Sequence, residues 1–192
     1  GRYLPGDLVT ESEEKVTTFQ VNNDLQGIIS HIKNNSKSKI EEEIDFTASS
    51  IAQSEFYSSF VYSPKYVAYY DDNKKRFSSK NIEGSWICID FKDRLVSPTG
   101  YTIRASSGRG KFCRPKNWIF EGSMNQNDWE TIDEQTDCLA LNRNGFMNTF
   151  VVTAKVPSYR YLRIRSTGPD TEGNHILAIE SLEIYGELTE KN

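Results

Sequence analysis

The sequence predicts an all-β chain: an antiparallel jelly-roll β-sandwich with a short N-terminal helical extension. Three observations carry that reading. The stretch Tyr159-Arg-Tyr-Leu-Arg-Ile-Arg165 alternates strictly, so Leu162 and Ile164 face one side of a sheet while Tyr161, Arg163 and Arg165 face the other. Short strand-like segments recur with turn residues between them, and no long helical pattern follows residue 45. The ten Tyr, ten Phe and three Trp favour strands over helices.

Each element follows from its local pattern. Residues 1–15 are polar and acidic, contain Pro5 and Gly6, and read as a linker. Leu25, Ile28, Ile29 and Ile32 have the i, i+3, i+4, i+7 spacing of a helix, with Asp24 near its start. Residues 34–43 form a polar loop, in which Asn34-Asn35-Ser36 is a turn. Strands are expected at 44–50, 85–91, 101–105, 117–123, 128–134, 146–153, 159–166 and 177–187, with Met124-Asn-Gln-Asn127 as a hairpin connection. In the last strand Leu177/Ile179 gives way to Leu182/Ile184, and the extra residue at Ser181 shifts the phase as a bulge would. The expected organisation is therefore an extension over 1–43, a sandwich over 44–187 and a tail over 188–192.

Composition narrows the class. No apolar run approaches the roughly 18 residues of a membrane span, and no secretory leader opens the chain. The chain begins with Gly1 rather than Met and is expected to be a piece of a longer protein. The net charge of −4 is uneven: residues 1–45 carry nine acids against five bases, whereas 94–116 hold six bases and no acid. Cys88, Cys113 and Cys138 are an odd set without a C-x-x-C pair, which points to free thiols and a reducing, intracellular compartment.

Six segments in order resemble a known pattern: Trp86-Ile-Cys-Ile-Asp-Phe91, Pro98-x-x-Tyr-x-Ile-Arg104, Pro115-Lys-Asn-Trp-Ile-Phe-Glu-Gly-Ser123, Trp129, the Tyr159 strand and Ile179-Glu-x-x-Glu-Ile-Tyr-Gly186. Together they resemble the discoidin domain, also called the coagulation-factor (F5/8) C-type domain, of the galactose-binding-like jelly-roll fold, over about residues 44–187. Residues 85–91 and 167–178 are similar to the intracellular, protozoan-type branch. The resemblance implies a binding module whose ligand contacts come from rim loops. The disulfide that ties the domain ends in secreted relatives has no counterpart here, since no cysteine lies near Ile44 or Gly186.

The candidate contacts accordingly lie in three loops. Arg109, Lys111, Phe112 and Arg114 bring cations and an aromatic together between Gly108 and Pro115, a combination suited to an anionic group or carboxylate-bearing peptide. Tyr69 and Tyr70 offer flat faces, and Asp71 and Asp72 are the oxygens a structural calcium would use. Consecutive residues do not converge as alternating calcium ligands do, so no cofactor is expected. His175 occupies the third loop. Trp86, Trp118 and Trp129 read as packing, and Arg163 and Arg165 as a solvated strand face. No zinc spacing, nucleophile elbow or phosphate loop is present, so the chain is not expected to be an enzyme. The expected function is non-catalytic binding of a protein or peptide partner, an acidic one given the basic loop. A galactose-type carbohydrate is the alternative and anionic lipid the next; nucleic acid is not expected, because the chain is not basic overall.

Overall fold

Half-apolar strands must bury one face, and the computed structural model shows what covers it; the structure describes residues 13–54, 59–106, 112–143 and 145–192. In chain order the elements are β1 (Glu14–Phe19), helix α1 (Ile28–Asn35), β2 (Asp45–Ala48), β3 (Val61–Tyr62), β4 (Lys75–Ser78), β5 (Trp86–Asp90) and β6 (Leu95–Arg104). They continue with β7 (Trp118–Ser123), β8 (Glu130–Gln135), β9 (Met147–Val151), β10 (Tyr161–Ser166), β11 (Ala178–Ile179) and β12 (Ser181–Lys191). One sheet has the order β1-β12-β6-β9 and the facing one β2-β5-β10-β7-β8. The long-range crossovers in both orders are those of a jelly roll.

Aromatic residues fill the space between the sheets. Tyr101 on β6 lies tilted 4.5 Å from Phe120 on β7 and stacks 5.1 Å from Phe150 on β9, and Trp118 meets Phe150 edge-on at 5.3 Å. Their polar tips are satisfied within the core: the Trp118 indole N–H donates to the Tyr101 hydroxyl, which in turn donates to Asp133. The alternation expected of β10 holds, with Leu162 and Ile164 each 1% exposed.

Three parts of the sequence reading are corrected. The N-terminal segment is not all linker, because β1 pairs antiparallel with β12 from Glu14↔Lys191 to Phe19↔Gly186. The same pairing makes the expected tail part of a strand, with Leu188 fully buried. An edge strand exposed on both sides, as most of β1 is, leaves no apolar period to detect. The phase shift near Ser181 is not a bulge. There the chain leaves one sheet for another, since β11 pairs with β4 and β12 with β6. The bulge lies at Tyr185/Gly186, where Gly186 has φ +135 and a Cβ would come within 2.1 Å of the Ser97 carbonyl oxygen. Finally, between the strands expected at 44–50 and 85–91 lie β3 and β4, which with β11 form a small third sheet in the order β11-β4-β3.

Helix α1 begins at Ile28 rather than Leu25, and Asp24 does not cap it. Its cap comes from β12. The Glu183 carboxylate accepts from the backbone N–H groups of Gly27 (3.0 Å), Ile29 (2.8 Å), Ser30 (3.1 Å) and Ile184 (2.8 Å), and from the Ser30 hydroxyl (2.8 Å). Burial pushes this carboxyl above its ordinary value while the five donors pull it back. Glu183→Ala leaves those donors buried and unpaired. It is expected to lower the free energy of urea unfolding by about 3 kcal/mol, against less than about 0.5 kcal/mol for exposed Glu187→Ala.

Candidate functional site

With the strands committed to the core, the concave surfaces lie among the loops, some of them beside the small sheet. One of them is a cleft of about 440 Å³. Phe60 and Tyr62 form one wall, Ser106, Phe112 and Cys113 another, and Ile176 with Ala178 a third, while Arg76, Ser78, Ser79, Lys80 and Asn81 run through it. Aromatic surface and hydrogen-bonding groups are therefore both present, and no Asp or Glu is among the described lining residues.

Beneath the cleft lies an ionic cluster. Arg76 on β4 and Glu180, between β11 and β12, are each 4% exposed. The Arg76 Nη2 lies 3.6 Å from Glu180 Oε2, and Arg104 Nε lies 3.6 Å from Glu180 Oε1. Arg76 also donates to the Ser106 hydroxyl and the Asn73 carbonyl, and Arg104 donates to the Tyr70 carbonyl and, at 2.7 Å, to the Ser181 hydroxyl. The Phe60 ring centroid lies 3.9 Å from the Arg76 guanidinium carbon. Even so, Arg76 Nε, Arg104 Nε and Glu180 Oε2 are buried without a hydrogen-bond partner among the described residues. Burial, and secondarily Arg104, lowers the affinity of Arg76 for its proton, while Glu180 opposes that.

The residues singled out from sequence are not gathered in one place. Phe112 lines the cleft. Arg114 is turned inward at 5% exposure: Nε donates to the Ser106 carbonyl at 3.0 Å, Nη1 to Asn142 Oδ1 at 2.8 Å, and its guanidinium carbon lies 4.1 Å from the Phe146 ring centroid. It shapes the loop rather than facing solvent. Arg109 and Lys111 lie outside the described residues.

Tyr69 and Tyr70, with Asp71, Asp72, Lys33 and Lys75, line a separate depression of about 300 Å³. The Tyr69 hydroxyl donates to Glu41, and the Tyr70 hydroxyl donates to the Leu182 carbonyl at 2.7 Å. Burial first, then the neighbouring carboxylate, pushes both phenols above their ordinary range. These rings are half-buried and tied to Glu41, Lys33 and Leu182. Asp72 accepts from the Lys74 N–H as a turn residue, and no group of three or more His, Cys, Asp or Glu among the described residues could hold a metal. His175 lines a third hollow with Glu83 and Arg165, its Nε2 3.4 Å from Glu83 Oε1. Its backbone N–H donates to Asn81 Oδ1 at 2.7 Å, tying that hollow to the wall of the cleft.

The outward arginines of β10 are not a solvated face. Both donate to Glu121, which is 3% exposed, with Arg163 Nε at 2.7 Å and Arg165 Nε at 2.9 Å. Arg163 lies between two indoles, 3.8 Å from the Trp129 ring centroid and 5.7 Å from that of Trp86. Opposite Arg163 in register, Cys88 is 3% exposed, and burial pushes its thiol up to about 12. Trp118 alone of the three tryptophans is fully buried.

Sequence reasoning missed Arg76 and Glu180. The signal for Glu180 was present in Ile179-Glu-x-x-Glu-Ile-Tyr-Gly186, because an acid inside an apolar strand run must be paired. Nothing comparable marked Arg76, whose strand, β4, is only four residues long.

Comparisons with known proteins agree with this architecture. No family model matches the chain. Among solved structures it is similar to CpGH89CBM32-5 from Clostridium perfringens in complex with GalNAc-β-1,3-galactose (TM-score 0.57, 13% identity, 76% of this chain and 96% of that one). It is also similar to a fucolectin from striped bass serum (TM-score 0.55, 16% identity, 75% and 47%) and to CBM32 of AlyQ in complex with 4,5-unsaturated mannuronic acid (0.51, 16%, 73% and 92%). The chain therefore has the discoidin-like, galactose-binding-like fold, as its six sequence segments indicated. In sequence it matches the Drosophila melanogaster E3 ubiquitin-protein ligase Ufd4 (29% identity over 114 residues) and the Caenorhabditis elegans E3 ubiquitin-protein ligase hecd-1 (33% over 98 residues). The matched stretches are 57% and 50% of this chain but 4% of each of those proteins.

The outer-face geometry makes two expectations. Glu121→Ala, which strands two arginines, should destabilise by about 3 kcal/mol, whereas Arg165→Ala should cost less than about 1 kcal/mol in the same unfolding assay. In native protein at pH 8, iodoacetamide followed by mass mapping should label half-buried Cys113 and Cys138 while Cys88 reacts only after denaturant is added.

Proposed function

We propose that this chain is a non-catalytic recognition module, and that a peptide segment of a partner protein seats in the cleft bounded by Tyr62, Phe112 and Ala178. The observation that carries this is the cleft itself: a preformed 440 Å³ concavity with aromatic walls and convergent donors. No histidine, aspartate or glutamate stands among its described lining residues to act as a general base. Its one thiol among the described lining residues, Cys113, is pushed up by burial, accepts from Asn174 Nδ2 and has no histidine beside it in the described lining. The similarity to short stretches of two very long ubiquitin ligases supports an accessory recognition role within a larger protein, one that brings a partner to activity located elsewhere. The three free cysteines support a reducing compartment for that protein.

A carbohydrate ligand is the second reading, favoured by the sugar complexes among the structural neighbours. The cleft is less suited to it. A neutral sugar presents hydroxyls that must donate as well as accept, and no carboxylate among the described lining residues receives them.

Filling the cleft separates these readings. A phage-displayed random nonapeptide library and a glycan array should be applied to the protein and to Ala178→Trp. Peptide clones should bind the parent and lose at least about tenfold in affinity on Ala178→Trp, with the array silent. An array signal abolished by the same substitution would replace the peptide reading with the sugar one. If neither library binds, the cleft is not a recognition site for either.

A further inference from the structure

The ionic cluster under the cleft carries an unbalanced charge. Two guanidiniums, Arg76 and Arg104, share one carboxylate, Glu180, and each approaches it only to 3.6 Å. A single acid held by two arginines leaves a formal charge of about +1 in a place where burial penalises it. Arg104 disperses its share into the Tyr70 carbonyl and the Ser181 hydroxyl, away from the cleft lining. Arg76, which likewise donates to the Ser106 hydroxyl and the Asn73 carbonyl, is the member that lines the cleft. Its side chain is 5% exposed, its Nε has no hydrogen-bond partner among the described residues, and the Phe60 ring lies 3.9 Å from its guanidinium carbon.

The surroundings carry the same sign. Lys80, exposed, stands on the cleft, and no Asp or Glu among the described lining residues answers either cation. A charge-assisted pair to a fixed, planar guanidinium in a desolvated site is far stronger than one at the surface, and the fork geometry of Arg suits a carboxylate.

We propose that the cleft reads a carboxylate: an Asp or Glu side chain of the bound peptide enters it and pairs with Arg76, with Lys80 adding to the field at the mouth. This rests on the peptide reading of the same site and names its ligand chemistry. Glu180 then serves as a positioning residue. By holding Arg76 from below at 3.6 Å it fixes the guanidinium while leaving it short of full neutralisation.

The test uses clones selected from the nonapeptide library, resynthesised as each acid and as its amide, with affinity read by fluorescence anisotropy. Asp and Glu should be enriched in the clones. Replacing the decisive acid by its amide should weaken binding at least about tenfold to the parent and by less than about twofold to Arg76→Gln. Free glutarate should compete, and glutaramide should not. Because Arg76→Gln removes a buried contact, thermal unfolding of that variant is compared with the parent's. Exposed Lys80→Gln gives the second reading: its amide penalty should remain, and its salt dependence should fall. Clones that bind without acid enrichment, or an amide penalty that persists in Arg76→Gln, overturn the carboxylate assignment and leave the peptide cleft standing. Stronger competition by a uronic acid than by glutarate overturns the peptide as its source. Failure to recover any clone is instead the failure of the underlying peptide reading.

Discussion

A single carboxylate organises the N-terminal third of the molecule. Glu183 sits on the face of β12 opposite Leu182 and Ile184 and receives five donors, four of them backbone N–H groups. Burying a carboxylate costs several kcal/mol, and only a full set of well-aligned donors offsets it. The arrangement is therefore cooperative in a strong sense. An eight-residue helix is marginal alone, and an acid on a buried strand is costly alone, so α1 and β12 each supply what the other lacks. The close approach also explains Gly27, where a Cβ would lie 2.4 Å from the Ile184 carbonyl oxygen. From α1 the constraint passes onward, since Lys33 donates to the Ala68 carbonyl at 2.8 Å and its ammonium lies 4.1 Å from the Tyr70 ring centroid. Tyr70 in turn reaches Leu182 through its hydroxyl and Arg104 through its carbonyl.

Two buried glutamates three residues apart thus end in opposite conditions. Glu183 is fully satisfied, whereas Glu180 is shared loosely between two arginines and keeps one oxygen without a hydrogen bond. A fold has no stability reason to leave a buried ionic cluster half satisfied, since an apolar replacement of similar volume is often as stable or more so. Departures of this kind concentrate where a site has a use for the missing partner. The Glu121 cluster on the outer face supplies the internal comparison: it too holds two arginines on one acid, but at 2.7 and 2.9 Å, with indoles beside Arg163.

How much could be read in advance depended on how many residues shared a signal. The long antiparallel strands were legible because burial of one face imposes a period of two, and β5, β7 and β10 lie where that period put them. The edge strand β1 and the two-residue strands β3 and β11 were not, because a short or two-sided exposed strand imposes no period. The helix was legible from Ile28, Ile29 and Ile32, but its cap was not, because the capping side chain comes from 156 residues away. The candidate site suffered most. Basic and aromatic residues close in sequence suggested one loop, yet Arg114 turned inward, Tyr69 and Tyr70 packed against other elements, and the described cations lining the cleft, Arg76 and Lys80, came from β4 and the residues after it. Among the described residues so identified, Phe112 lines it.

That pattern bears on what the likeness to sugar-binding modules can mean. At 13–16% identity the shared feature is the stacking of two sheets, which the Tyr101, Trp118 and Phe150 cluster secures without reference to any ligand. Ligand chemistry is set at the rim, by the balance of donors and acceptors there. Here the described rim of the cleft offers guanidinium, ammonium, amide and hydroxyl groups without a carboxylate. Such a set meets an acceptor-only anion with charge-assisted donors and a sugar hydroxyl only with neutral amide and hydroxyl acceptors. The buried excess of charge at Arg76 makes the difference larger, because within a low-dielectric floor a cation sharing one carboxylate with a second arginine gains more from an anion than from a neutral dipole. The same sandwich can therefore carry either specificity, and in this chain the chemistry of the floor argues for the carboxylate.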